Sequence, residues 1–199
     1  MSEGAGRAKV FGIGLSKTGT KSLSKALSQL GLRTIHFPLV RNNVLRAAYD
    51  LPVLREYDAA TDLPVAALFP HLDVRYPGSK FILTVREKEP WLRSCERYYA
   101  SADAIWEREG ALDRALFWRL LVFGCHRFNR ERFAYVYDRH VREAFHHFQR
   151  RRRDLLVMDV CGGDGWEALC PFLECEEPNR PFPWEHRTDS VNSQLRRRR

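Results

Sequence analysis

No apolar run in this 199-residue chain approaches the roughly 18–20 residues that cross a bilayer, so no transmembrane segment is expected. Its start, MSEGAGRAK, is polar and lacks the hydrophobic region of a secretory signal. The five cysteines (Cys95, Cys125, Cys161, Cys170 and Cys175) are odd in number, irregularly spaced and never paired as CxxC. That pattern speaks against a disulfide framework or a zinc site, and a reducing, cytoplasmic setting is the expectation. No metal-ligand spacing occurs elsewhere, so no metal is expected. Acidic residues are the scarcer charge, 25 against 33 Lys and Arg, for a formal charge of +8. Four of those cations are Arg196–Arg199 and another run is Arg150–Arg153, which read as a solvated tail and a helix end. No pattern of a known nucleic-acid module accompanies them, and no nucleic-acid partner is expected. Internal repeats and domain linkers are also missing. The expectation is one domain over 1–199, with a flexible N-terminus at 1–8 and a proline-rich, basic tail from about 176 to 199.

What is present suits a packed core. Hydrophobic residues make up 44% of the chain and aromatics 12%, enough for a globular domain of this length. Apolar strands are predicted at the start of the stretch Val10–Leu23 and at Arg33–Pro38, Tyr57–Asp62, Lys80–Val85 and Leu155–Val160. Helices are predicted after Gly19, around Val40–Ala48, and over Val65–Tyr76, Pro90–Glu109, Leu112–His126 and Glu131–Arg152. The stripe expected on the last of these is Phe133, Tyr137, Val141, Ala144, Phe145 and Phe148. A short helix bearing Trp166, Leu169, Cys170 and Leu173 follows, with Asp164 as its expected cap. Strands alternating with helices imply an α/β protein, a three-layer α/β/α sandwich around a mostly parallel sheet.

The densest chemistry lies in Val10–Leu23, where a buried strand runs through a glycine-bearing turn into a helix. Unpaired N–H groups and the helix dipole at such a start favour an anion. Lys17 and Lys21 add charge there, and Ser16, Thr18, Thr20 and Ser22 add hydroxyls. Gly14 and Gly19 have the separation of a nucleoside triphosphate loop, but Thr20 intervenes before Lys21–Ser22. The lysine is thereby displaced by about 100° around the helix. The order Lys17–Thr18–Gly19–Thr20 also resembles the loop of sulfotransferases that use 3′-phosphoadenosine 5′-phosphosulfate (PAPS). Taken alone, the loop leaves both readings open.

A second group of residues stands where the Lys80–Val85 strand ends. Arg86 occupies the carboxyl end, where open α/β sheets bind ligands. Ser94, eight residues on, sits in the next helix. An arginine fork and a hydroxyl placed this way can share one phosphate. The bland alternative pairs Arg86 with Glu87 or Glu89 and leaves Ser94 to solvent.

Together the two groups resemble the way PAPS-dependent sulfotransferases mark their 5′-phosphosulfate and 3′-phosphate sites. Further stretches carry the likeness: Tyr-Pro-Gly-Ser-Lys-Phe-Ile-Leu-Thr-Val-Arg, Gly-Asp-Gly-Trp-Glu-Ala-Leu-Cys-Pro-Phe-Leu and Pro-Phe-Pro. The chain is similar, over about residues 9–187, to the compact sulfotransferase-like family of the P-loop NTPase fold superfamily. That resemblance implies PAPS as sulfuryl donor and 3′-phosphoadenosine 5′-phosphate (PAP) as product. Lys17 would meet the 5′-phosphate and bridging oxygen, with Ser16, Thr18, Gly19, Thr20, Lys21 and Ser22 around the phosphosulfate. Arg86 and Ser94 would hold the 3′-phosphate, and the Gly162–Gly165 turn would approach the nucleotide. The Arg-Lys-Gly motif of cytosolic members is absent.

The acceptor, a hydroxyl or amine of a small molecule, glycan or lipid, needs a base within reach. Asp62 and His36 are the candidates, with a helix N-cap and a structural histidine as their plainer readings. The rival function is a P-loop kinase or nucleotidase using Leu155–Asp159 to hold Mg²⁺. A degenerate nucleotide-binding protein is the third. The acceptor and the oligomeric state are not legible.

Overall fold

The computed structural model describes residues 8–108 and 112–185. The expected flexible N-terminus therefore lies outside the described residues except for Ala8, as does the tail beyond Glu185. The elements are β1 (Val10–Gly12), α1 (Thr20–Gln29), β2 (Thr34–His36), α2 (Arg41–Leu45), β3 (Ala59–Thr61), α3 (Leu63–Arg75) and β4 (Lys80–Thr84). Then come α4 (Lys88–Arg108), α5 (Leu112–Phe123), α6 (Arg130–His147), β5 (Leu155–Met158) and α7 (Trp166–Leu173). The five strands form one parallel sheet in the order β2-β3-β1-β4-β5.

Alternation along the strands feeds two cores. Phe11, Ala60, Phe81 and Leu83 face one apolar layer, shared with Leu68, Phe69, Trp91, Trp118, Phe133 and Phe148 from α3 to α6 and the residue just past it. Ala59, Ile82 and Met158 face the other, closed by Leu23, Leu27, Trp166 and Leu169 of α1 and α7. Successive strand side chains point to opposite faces, so helices are needed on both. This is the three-layer α/β/α architecture.

Several boundaries differ from the expected ones. The helix just before the last strand, α6, ends at His147, not Arg152, because the arginine run enters a 3₁₀ turn at Arg152–Asp154. Its buried face uses Val136 and His140, whereas Phe145 is exposed. Asp164 does not cap α7: the cap position is Gly165, and the Asp164 carboxylate accepts from the Asp159 N–H at 2.7 Å. The tail returns as expected of a wrap-around segment. Trp166 Nε1 donates to Arg180 O at 2.8 Å, and the Glu185 N–H donates to Ser22 Oγ at 2.9 Å.

On the far side from the strand ends that carry the site, Asp73 of α3 is buried against Arg151 and His147. Burial pushes its carboxyl up, but the hydrogen bonds from Arg151 and His147 outweigh that, and its pKa falls below the usual range. A depressed carboxylate pKa stabilises the fold fully above the unfolded value near 3.9, and that contribution is lost as pH falls through the folded value. Asp73→Ala is expected to cost about 1–2 kcal/mol at pH 7, with Arg151 half-exposed and partly screened. Urea titrations should show that difference shrinking below about pH 4.

Candidate active site

The sheet brings the singled-out residues to its carboxyl edge. His36, Thr61, Gly12 and Ile82 lie on one register line across β2, β3, β1 and β4. Lys17, Asp62 and Arg86 follow just beyond that line. β1 is central, and the chain visits β3 and β2 on one side of it before β4 and β5 on the other. A crevice forms where the winding reverses, and open α/β sheets place ligands there.

Sterics shape the loop between β1 and α1. A Cβ on Gly14 would stand 1.9 Å from Thr84 Oγ1, so only glycine lets the loop lie flat on the end of β4. Thr18 Oγ1 completes that contact, donating to Leu15 O at 2.6 Å and lying 2.6 Å from Thr84 Oγ1. His140 Nε2 donates to Ile13 O at 2.6 Å; burial lowers this imidazole's pKa, and a carbonyl partner requires the N–H form. Gly19 caps α1 at φ 97°, with no side chain capping the helix start and no acidic residue in its first turn. A helix start without a side-chain cap or a first-turn carboxylate favours an anion there.

Lys17 sits at φ 74°, a left-handed conformation that costs an L-residue about 1–2 kcal/mol. Its ammonium lies 4.6 Å from the centre of the Tyr98 ring. Burial lowers the Lys17 pKa, with Cys95 and Asp62 opposing and Arg86 adding to the fall. Arg86 bends toward the same loop, NH1 donating to Lys17 O at 3.3 Å. Its backbone is clamped by Tyr137, whose hydroxyl accepts from Arg86 N at 2.9 Å and donates to Arg86 O at 2.7 Å. The two cationic groups expected from the sequence are thus neighbours.

Asp62 carries more strain still, at φ 84° and ψ −174°, a region populated almost only by glycine. It occupies the cap position of α3 yet its side chain makes no capping bond. Instead Oδ1 accepts from Ser16 Oγ at 2.6 Å, and Oδ2 lies 3.3 Å from His36 Nε2. Asp62 and His36, the two candidate bases, are therefore in contact. Ser16, expected to face the donor, directs its hydroxyl to Asp62, and Ser22 accepts from the tail.

Ser94 is half-buried on α4. Its helix neighbours at i−3 and i+4 reach the loop: Trp91 Nε1 donates to Ser16 O at 3.0 Å, and Tyr98 underlies Lys17. Thr61 and Tyr98 were not singled out from the sequence, and Tyr137 was read only as part of an apolar stripe. The spacing of Trp91 and Tyr98 around Ser94 is the signal for those two; Thr61 leaves none. Asp159, the residue of the magnesium reading, accepts from the Gly162 N–H at 2.7 Å and closes its own turn. Among the described residues no group of three or more His, Cys, Asp or Glu is placed to hold a metal ion.

A family model described as a sulfotransferase domain matches residues 9–191. The chain belongs to the sulfotransferase family. A relative, Ava biosynthesis cluster protein M of Aspergillus versicolor, is 27% identical over 210 residues, spanning 88% of this chain and 79% of its own. Sulfotransferases act by sulfuryl transfer, and the residues present fit an anionic donor of that kind. A glycine-flattened loop, a helix start with no side-chain cap, and two neighbouring cationic residues, one of them partly buried, suit such a donor. No helix among the described residues is long and apolar enough to cross a membrane.

Proposed function

We propose that this sulfotransferase moves the sulfuryl group of PAPS to a hydroxyl or amine of a small-molecule, glycan or lipid acceptor. The observation that carries the reading is the convergence of Lys17, Arg86 and Asp62 at one edge of the sheet, with Lys17 beside Arg86 and the strained Asp62 carboxylate tied to the same loop. The donor supplies an activated sulfuryl group on a 5′-phosphate. Lys17, Thr18, Gly19, Thr20, Lys21 and Ser22 hold that end through charge, hydroxyls and helix-start amides. Arg86 and Ser94 hold the 3′-phosphate.

Lys17 and the α1 amides stabilise the negative charge that grows on the leaving phosphate oxygen, an electrostatic task prepared before reaction. Asp62 or its neighbour His36 removes the acceptor proton. The net charge of +8 favours capture of a polyanionic donor. The unpaired cysteines among the described residues fit a reducing compartment such as the cytoplasm.

Calorimetry tests the donor directly. PAP should bind at least 100-fold more tightly than ATP with Mg²⁺, since Asp159 closes its own turn and Arg86 stands ready for a 3′-phosphate. Tighter binding of ATP with Mg²⁺ would overturn the donor assignment in favour of a kinase-like enzyme. Binding of PAP without turnover on a broad acceptor panel would leave a nucleotide-binding protein.

A further inference from the structure

His36 has two ring nitrogens, and both face protein groups. Nδ1 lies 2.9 Å from Thr61 Oγ1 and Nε2 lies 3.3 Å from Asp62 Oδ2. Asp62 is differently placed. Its Oδ1 accepts one bond from Ser16 and its Oδ2 faces His36. An ionised carboxylate has about four lone-pair sites, so Asp62 keeps acceptor capacity after both contacts while His36 has no ring nitrogen left. We propose that Asp62 alone takes the acceptor's proton, and that His36, Thr61 and Ser16 are positioning residues that orient its carboxylate and lock it to the donor loop. This inference rests on the sulfuryl-transfer reading above.

Thr61 sets the tautomer. It is 0% exposed and its hydroxyl faces Nδ1. When that hydroxyl donates to Nδ1, the ring proton sits on Nε2, the nitrogen 3.3 Å from Asp62 Oδ2; the bond made by one nitrogen decides the state of the other. The opposite tautomer would set the Nε2 lone pair near a carboxylate oxygen. With Nε2–H beside one oxygen and the Ser16 hydroxyl bonded to the other, the carboxylate is held from both sides.

Ser16 adds a second constraint. It precedes Lys17 in the chain, its carbonyl is anchored by Trp91, and its hydroxyl reaches the base. The group that meets the leaving oxygen and the group that takes the acceptor proton are therefore one residue and one hydrogen bond apart. In the transfer step the acceptor oxygen forms a bond to sulfur as its proton passes to Asp62. The bond from sulfur to the 5′-phosphate oxygen breaks, leaving its electron pair on that oxygen beside Lys17. His36 keeps its proton throughout.

The test combines histidine ¹⁵N NMR of the full chain with kinetics of single variants. In the wild type His36 should show the Nε2–H tautomer, and Thr61→Val should lose that signature while PAP affinity by calorimetry stays within about threefold. Asp62→Asn should lower kcat about 1,000-fold. His36→Gln, Thr61→Val and Ser16→Ala should each lower kcat about 10–100-fold with the donor KM unchanged, the cost of a misplaced base. An Nδ1–H tautomer in the wild type, or a His36→Gln loss as deep as that of Asp62→Asn, would overturn the proposal. Failure of the wild type to bind PAP would instead sink the transfer reading, while the tautomer and its response to Thr61→Val would still judge the network.

Discussion

Replacing Lys17 by glycine is expected to lower kcat by about 1,000-fold while changing the stability of the fold by less than about 1 kcal/mol. The two readouts separate because the backbone and the side chain of Lys17 have opposite effects. At φ 74° an L-residue is strained, and glycine removes that cost. The greater freedom of glycine in the unfolded chain takes back about 0.4–1 kcal/mol. The ammonium is partly buried over Tyr98, and burial lowers its pKa; losing it removes a partly desolvated charge from the fold but also the cation that would meet a leaving oxygen. Lys17→Ala should lose as much activity and also be about 1 kcal/mol less stable than the glycine variant, since alanine retains the strain. Single-turnover kinetics and urea melts of both variants decide the matter. A glycine variant that retains turnover would remove Lys17 from the chemistry.

The sheet was largely readable from the chain because its strands are continuous apolar runs. Lys80–Thr84 could be placed to within about two residues, since a strand buried on both faces admits little else; Leu155–Met158, at the sheet edge with Val157 exposed, was placed as closely by its unbroken apolar run alone. The loop was readable for a similar reason: two glycines, two lysines and four hydroxyls next to a strand have few other uses. What stayed hidden depends on contacts between residues distant in sequence. Ser16 meets Asp62 across 46 positions and Arg86 meets Lys17 across 69, and neither pair leaves a local pattern. Nor does backbone strain. Asp62 reads as an ordinary helix cap, yet its φ of 84° turns the carboxylate away from the α3 amides toward Ser16 and His36. Phe145 was misassigned to the core because periodicity finds a stripe but not its edges; α6 rotates so that His140, a polar residue, takes an inward position to hold Ile13 O.

The second large effect is expected at Gly14, and it tests the loop without touching any charged group. A methyl added there would stand 1.9 Å from Thr84 Oγ1, 2.6 Å from Thr84 O and 2.8 Å from Thr18 Oγ1. These contacts belong to the floor of the loop, where the Thr18 and Thr84 hydroxyls already touch and Thr18 is pinned to Leu15 O. Gly14→Ala must lift the loop off β4, which breaks those bonds and moves the α1 amides relative to Arg86. Overpacking of this kind costs about 3 kcal/mol, or a fall of roughly 6–12 °C in Tm for a chain of this size. PAP affinity should drop at least 100-fold at temperatures where the variant is still folded, because an anion site built from backbone amides tolerates little displacement. Adding Thr84→Ala removes the closest clash but not the 2.6 Å approach to the Thr84 carbonyl. The double variant should therefore recover part of the Tm and little of the affinity. Full recovery of both would mean that Thr84 Oγ1 alone, and not the path of the backbone, requires glycine at this position.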